Sequence, residues 1–276
     1  MYFYAIDSIS LHTLILPPVG WGFMLIHTID KRVKAVTDGG SLSPCYHTTF
    51  KILKNFLYNI NSSGGWAWIL SHLDYDHYSI TTELTKTAWT EPTAIILPGA
   101  YSLRVCQGVF ENYHALARLL AFTLGMPPPS TVSLIEIIKR VKQRGRVYGV
   151  FRGARIHIRE LVYHIIWPPK MESAILCKKL FEEIEKKLGE IREKCQKRRG
   201  DVCNSVLERA RQEGADMAKI LEPNHVVEDV NLDQILTEGE MAPHATAEKS
   251  LSPTEAPSTY HEIYAEAAEK LNDKNL

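Results

Sequence analysis

Apolar and polar residues follow one another in short blocks over the first hundred positions of the chain. Five blocks rich in β-branched and aromatic residues predict strands, at residues 1–6, 20–29, 33–37, 66–70 and 93–97. Two further blocks have apolar residues at helical spacing, at residues 47–60 and 80–89. Strands that alternate with helices predict a layered α/β fold.

The pattern changes after residue 170, where Glu, Lys and Arg become dense around a single apolar stripe. Ile184, Leu188, Ile191 and Cys195 form that stripe, which indicates an amphipathic helix. Gly200 ends this helix, and Asp201 can cap a second one that extends to about Leu221. Residues 171–222 are therefore predicted to form a helical hairpin.

The end of the chain is acidic. From Glu222 onward there are 12 Asp and Glu against 3 Lys, with four prolines and few large apolar residues. This composition predicts that residues 223–276 are a largely flexible tail. Within it, the stretch Ile263 to Leu271 predicts a short terminal helix.

Composition narrows the class of protein. The chain has 276 residues, 32 basic and 32 acidic side chains, and five cysteines without a C-x-x-C pair. The odd cysteine count argues against a disulfide framework and predicts a reducing, cytoplasmic location. Prolines, glycines and histidines interrupt the apolar stretch Leu11 to Ile29, so a membrane span is not expected. A signal peptide is not expected either, because the N-terminus has no basic n-region and no small-residue cleavage site.

Four side chains that can bind metal lie within six residues, directly after the predicted strand 66–70. They are His72, Asp74, Asp76 and His77, in the run Ser71-His72-Leu73-Asp74-Tyr75-Asp76-His77. Imidazoles suit zinc or manganese, and carboxylates add hard oxygen donors. A strand that ends in this cluster is a candidate metal site.

The spacing H-x-D-x-D-H resembles the H-x-H-x-D-H signature of the metallo-β-lactamase superfamily. It is most similar to the variant in the metallo-β-lactamase-like domain of DNA-internalisation competence proteins. Asp38-Gly39-Gly40 resembles the D-G-G element of that family, and Ile165 to Pro169 resembles its later strand-plus-proline element. The resemblance covers residues 1–170. It implies a metallo-β-lactamase-like αβ/βα sandwich whose C-terminal half is shortened or missing.

The resemblance also implies roles for the loop. His72 and Asp74 would bind one divalent cation, and Asp76 and His77 a second, while Asp38, Gly39 and Gly40 support the loop. Asp76 would also orient the attacking water in a hydrolysis reaction. Because Asp74 replaces the usual histidine, the first site is harder and favours manganese without excluding zinc.

The second half of the chain lacks the expected completing ligands. Its one G-D pair, Gly200-Asp201, lies between two predicted helices. His114, His157 or His164 would then have to complete a two-cation site. The alternative is a truncated, non-catalytic member of the family that binds a protein partner through the helical hairpin or the tail.

Residues 137–159 carry eight Lys and Arg and no acid. Arg144, Arg146, Arg152 and Arg155 are the candidates in this stripe for binding a phosphodiester or nucleic acid. The alternative is a solvated basic face docked on the acidic tail. The competence-type loop and this stripe together favour hydrolysis of phosphodiesters.

Overall fold

The computed structural model describes residues 10–15, 23–29, 32–40, 62, 64–126, 132–159 and 161–241. Over these residues the chain is mixed α/β, with a curled eight-stranded sheet and six α-helices. The α/β class predicted from the sequence is confirmed. The predicted strand 1–6 and the predicted helices 47–60 and 263–271 lie outside the described residues.

The strands pair in the order β1 to β6, with β7 and β8 both paired to β6. Strands β3 to β6 run parallel to one another, β8 is parallel to β6, and β1, β2 and β7 are antiparallel to their neighbours. The strands are β1 Ser10–Ile15, β2 Phe23–Ile29, β3 Arg32–Asp38, β4 Ala67–Ile69, β5 Ala94–Pro98, β6 Val147–Ile158, β7 Leu161–His164 and β8 His225–Asn231.

Helices cover both faces of the sheet. They are α1 Tyr75–Thr87, α2 Arg104–Leu124, α3 Val132–Gln143, α4 Lys170–Arg199, α5 Val202–Leu221 and α6 Asp233–Met241. A short 3-10 helix, Gly99–Ser102, links β5 to α2.

Alternation along the strands divides the core into two layers. Trp66 and Trp68 lie on one face of the sheet with the apolar residues of α1 and α3. Ala67 and Ile69 point to the opposite face, where Leu236 of α6 packs. Both faces of β4 are thus buried, as expected for a strand inside a parallel sheet.

The predicted helical hairpin forms from α4 and α5, joined at Gly200 and Asp201. It packs on α2 around a third apolar cluster that includes Leu119, Leu188 and Leu207. Leu221, the last residue of α5, is buried in the same cluster as Trp68. The hairpin therefore shares its core with the sheet.

Two disulfides lie in this helical layer. Cys106 of α2 is bonded to Cys177 of α4, and Cys195 of α4 is bonded to Cys203 of α5. The expectation that the cysteines form no disulfides is therefore wrong, and the predicted reducing location loses that support. The pairs are separated by 71 and 8 residues, so tertiary proximity, and not a spacing motif, decides the pairing.

Part of the acidic segment is built into the sheet. Residues 225–231 form β8 beside β6, and residues 233–241 form α6. The placement of 223–241 in a flexible tail needs correction, because Leu232 and Leu236 bury their side chains fully against the sheet. Gly65 lies so close to the Leu236 backbone that a Cβ would clash there. Residues 242–276 lie outside the described part of the chain.

No helix in the described ranges has both the length and the apolar content needed to cross a bilayer.

Candidate metal centre

The candidate ligands lie where parallel strands end. The strands β3, β4 and β5 run in the same direction, so their carboxyl ends share one edge of the sheet. Asp38 is the last residue of β3, and the run 71–77 follows β4 at that edge. Such an edge is the usual location of binding sites in open α/β sheets.

Asp38 is fully buried, and both its carboxylate and its backbone carbonyl oxygen have hydrogen-bond partners. Its carboxylate accepts hydrogen bonds from the Ser71 backbone N–H at 2.7 Å and the Ser71 hydroxyl at 2.7 Å, and it lies 2.9 Å from His77 Nδ1. Its carbonyl oxygen accepts from Trp68 Nε1 and the Thr81 hydroxyl, both at 3.0 Å. A buried carboxylate is stable only with such partners.

The two glycines after Asp38 allow α1 to approach β3. Gly39 has a φ of +116°, and a Cβ there would clash with Thr81. A Cβ on Gly40 would lie 2.7 Å from the backbone nitrogen of His77. The D-G-G element thus brings the Asp38 carboxylate against the first turn of α1.

Two of the four candidate ligands lie on a helix and not in a loop. The sequence predicted that this helix begins at Ile80, whereas α1 begins at Tyr75. Asp74 is its N-cap residue, and its carbonyl accepts from the His77 N–H at 2.9 Å. Asp76 and His77 therefore have fixed backbone positions, while His72 and Asp74 remain in the preceding loop.

Both imidazoles are oriented through the same ring nitrogen. Nδ1 of His77 lies 2.9 Å from Asp38, and Nδ1 of His72 lies 2.9 Å from the Ser71 hydroxyl. The ring centroids are 3.7 Å apart, and the ring planes are tilted by 48° to each other. Their Nε2 atoms face carboxylates, Asp74 at 3.3 Å and Asp76 at 3.5 Å.

These separations match the donor spacing around a cation. Two ligands about 2.1 Å from one tetrahedral cation lie roughly 3.4 Å apart. His72 with Asp74, and His77 with Asp76, each satisfy that spacing. The described residues nevertheless contain no group of three or more His, Cys, Asp or Glu side chains placed to hold one ion.

His72 and Asp74 form the outer pair, with Nε2 of His72 3.3 Å from the Asp74 carboxylate. Asp74 hydrogen-bonds His72 and thereby raises the pKa of that imidazole, and the same bond lowers the pKa of the Asp74 carboxyl. Both side chains are well exposed, at 46% and 74%. The inner pair is more enclosed, at 14% for His77 and 11% for Asp76.

Two tyrosines that the sequence did not single out lie beside the loop. Burial, with the nearby Asp74 charge as a smaller cause, raises the pKa of Tyr101, which also hydrogen-bonds the Leu73 backbone. Tyr113 is 58% exposed, and partial desolvation together with the Asp74 charge raises its pKa as well. They come from the 3-10 helix and from α2, and no spacing relates them to the loop.

Ser71, His72 and Asp38 lie together like a Ser-His-Asp triad, but the direction of the Ser71 hydrogen bond argues against a nucleophilic serine. The single hydroxyl proton of Ser71 is donated to Asp38 at 2.7 Å. Because that proton is already donated, the contact between Ser71 and Nδ1 of His72 at 2.9 Å uses a lone pair of the hydroxyl, and Nδ1 does not receive the Ser71 proton. Ser71 therefore orients His72.

The predicted basic residues do not gather at this edge. Arg144 and Arg146 precede β6, at the amino ends of the parallel strands, where they pair with Glu91 and Glu238. Arg155 pairs with Asp229 of β8. These contacts agree with the alternative of a basic face docked on the acidic segment. Arg152 is exposed just beyond the β5–β6 pairing, toward the carboxyl edge.

The three distant histidines have other surroundings. His114 of α2 faces Glu213 of α5 at 3.5 Å, and His157 faces Asp229 at 3.0 Å. His164 is exposed on β7. Within the described residues, none of them joins a metal-binding group with the loop.

Comparison with known proteins adds no relative: no family model, curated protein or solved structure matches this chain.

Proposed function

We propose that this chain is a metal-dependent hydrolase of the metallo-β-lactamase type, with His72, Asp74, Asp76 and His77 as its cation ligands. One observation carries the proposal. Both imidazoles have Nδ1 held by Ser71 or by buried Asp38, and both present Nε2 to a carboxylate. Metal-binding histidines are held in this way, with an outer carboxylate or hydroxyl fixing the tautomer and the ring orientation.

One or two divalent ions, zinc or manganese, would supply a Lewis acid and a hydroxide nucleophile at this edge. The residues of the chain would hold and orient the reactants. Asp38 keeps His77 in one orientation, and Asp76 is nearly buried beside it and can accept a proton from an attacking water. Asp74, where the family has a histidine, supports a preference for manganese.

A phosphodiester substrate is supported mainly by the similarity of the loop to the competence-type variant. Arg144 and Arg146 give it no support, because both pair with carboxylates at the opposite edge of the sheet. Arg152 is the remaining basic candidate, since it is exposed toward the carboxyl edge. Its guanidinium would attract a phosphate by charge and by paired hydrogen bonds.

Hydrolysis of bis(4-nitrophenyl) phosphate with added manganese tests the proposal. We expect turnover by the unaltered chain and a loss of about 100-fold or more in Asp76→Ala, because a proton acceptor and a ligand are lost together. Asp201→Ala is the matched control, since Asp201 is an exposed aspartate at the turn of the hairpin. Turnover that persists in Asp76→Ala, with folding intact in both variants, would contradict the assigned site.

The second candidate is a non-catalytic protein that retains the loop and binds a partner. Two observations favour it: the described residues offer pairs of ligands and no group of three, and the start of α4 exposes several large apolar side chains. This candidate predicts neither turnover nor tightly held metal.

A further inference from the structure

A cavity of about 320 Å³ lies between α2 and α5, and we call it the helical cavity. Its volume falls in the range of protein pockets that hold small molecules. The side chains that line it come from α2, from the residue that follows the C-cap of α2, and from α5. They include Arg118, Phe122, Met126, Val206, Arg209 and Glu213. None of the four candidate metal ligands is among them.

One end of the helical cavity is polar and has an excess of positive charge. The Glu213 carboxylate lies 2.8 Å from Nη2 of Arg118, 3.1 Å from Nε of Arg209 and 3.5 Å from Nε2 of His114. Burial lowers the pKa of His114, which keeps that imidazole neutral at pH 7. Two guanidiniums carry more charge and more N–H donors than one carboxylate can satisfy. This end can therefore attract a further anion.

The other end of the helical cavity is apolar with a cation above it. Phe122, Met126 and Val206 supply the apolar surface. The guanidinium of Arg199, the last residue of α4, lies over the Phe122 ring at 6.0 Å from its centroid. Among the described residues Arg199 forms no ion pair with an acid. A guanidinium that lies on an aromatic ring keeps its N–H fork available for a carboxylate or phosphate.

The two ends are close enough for one small ligand to contact both. Phe122 follows Arg118 by four residues on α2, which places the two about 6 Å apart along the helix. Arg209 follows Val206 by three residues on α5, so these two side chains are neighbours on the helix surface. A ligand that matches this arrangement has a flat apolar body and one anionic group.

We propose that the helical cavity binds a small aromatic anion, with its ring against Phe122 and Val206 and its anionic group at Arg199 and Arg209. The site is separate from the candidate metal centre. It does not depend on the proposed hydrolysis.

Isothermal titration calorimetry of the full chain with 1-naphthoate, in the presence of EDTA, tests the site. We expect saturable binding of one molecule per chain. The uncharged analogue 1-naphthamide has the same ring system and should bind at least tenfold more weakly, because hydrogen bonds to charged groups are the stronger ones.

Two variants locate the binding. Arg199→Gln should weaken the binding of 1-naphthoate about tenfold, since it removes the cation above Phe122. Met126→Glu should weaken it by a similar factor, because it puts a carboxylate into the helical cavity. Arg198→Gln is the matched control: it removes the same charge from the neighbouring exposed position and should bind like the unaltered chain.

Absence of saturable binding of 1-naphthoate would overturn the proposal. Equal affinity for 1-naphthamide would also overturn it, since the cavity would then not select an anion. Equal losses in Arg199→Gln and Arg198→Gln would show a response to net charge alone. Unchanged affinity in Met126→Glu, with its thermal midpoint preserved, would place the anion outside the helical cavity, and either result contradicts the assigned site.

Discussion

At the scale of single residues, Asp38 determines the geometry of the candidate site. It has a φ of +54° and lies fully buried, and its carboxylate holds Ser71 and His77 while its carbonyl holds Trp68 and Thr81. The Ser71 hydroxyl links Asp38 to the second imidazole, because it contacts both the Asp38 carboxylate and Nδ1 of His72. Ser71 is thus a positioning residue that no metal-ligand motif identifies.

Replacing Ser71 by alanine should weaken metal binding without unfolding the chain. The imidazole of His72 would lose the partner of its Nδ1 atom, and loss of such outer contacts typically lowers metal affinity about 10- to 100-fold. Competition with a chromogenic chelator measures the affinity. Ser205→Ala is the control, because the Ser205 hydroxyl donates only to a carbonyl in its own helix. Equal affinities in the two variants would contradict the role of Ser71.

His114 makes stability depend on pH. Burial lowers its pKa, against the raising effect of Glu213, with Arg118 also nearby. Because the folded chain holds this imidazole neutral more firmly than the unfolded chain does, the unfolded state binds more protons once pH falls below about 6.5. The contribution of His114 to stability is therefore present above that pH and lost on acidification.

Thermal midpoints at pH 7.5 and 5.5, compared between the unaltered chain and His114→Gln, test this dependence. The unaltered chain should lose more stability on acidification than the variant. The raised pKa of His72 acts in the opposite direction over the same range, but it is common to both proteins and cancels in the comparison. An identical acid response in the two proteins would refute the assignment.

The sequence singled out the four candidate ligands and the supporting Asp38, but not Ser71 or the neighbouring tyrosines. His72, Asp74, Asp76 and His77 are recognisable because their spacing is local. Tyr101 and Tyr113 approach the loop only through the packing of β5 and α2, which depends on contacts between distant residues. The position of Arg144 and Arg146 at the amino edge was not predictable, because one-dimensional charge density does not tell which edge of the sheet a residue occupies.

At the scale of elements, α2 connects the candidate site to the helical hairpin. One side of α2 carries Tyr113 near Asp74, and another packs on α4 and α5. Disulfides join α2 to α4 and α4 to α5. The three helices therefore form a cross-linked layer behind the loop.

The disulfide that closes the longer loop should contribute more stability. Cys106 and Cys177 are 71 residues apart and Cys195 and Cys203 are 8 apart. The chain-entropy model gives about 4 and about 2.5 kcal/mol for such loops. Urea unfolding of the two paired Cys→Ala variants should show the greater loss for Cys106 with Cys177. Equal losses, or no response of the unaltered chain to a reductant, would contradict this ordering.

Periodicity anticipated β2 to β5 and both hairpin helices, because each is defined by local alternation or by a local apolar stripe. It did not anticipate β8, whose sequence is acidic and largely exposed, and which is a strand because β6 offers it a free edge. The disulfide pairing was equally invisible, since it depends on how α2 and α4 meet.

At the scale of the whole molecule, the sheet separates two charged regions. The carboxyl edge carries the candidate metal centre, with Asp38 and Asp76 enclosed. Arg144 and Arg146 at the amino edge pair with Glu91 and Glu238, and Arg155 of β6 pairs with Asp229. The basic stripe thus stabilises contacts within the fold, including those that fasten β8 and α6 to the sheet.

The most direct test of the account is the metal content of the purified chain after equilibration with manganese and zinc and then desalting. We predict one or two retained ions per chain and a loss of retention in His72→Ala. His164→Ala, which removes an exposed imidazole from β7, should retain the ions as the unaltered chain does. Absence of retained metal in the unaltered chain, or equal retention in both variants, would contradict a metal centre at this loop.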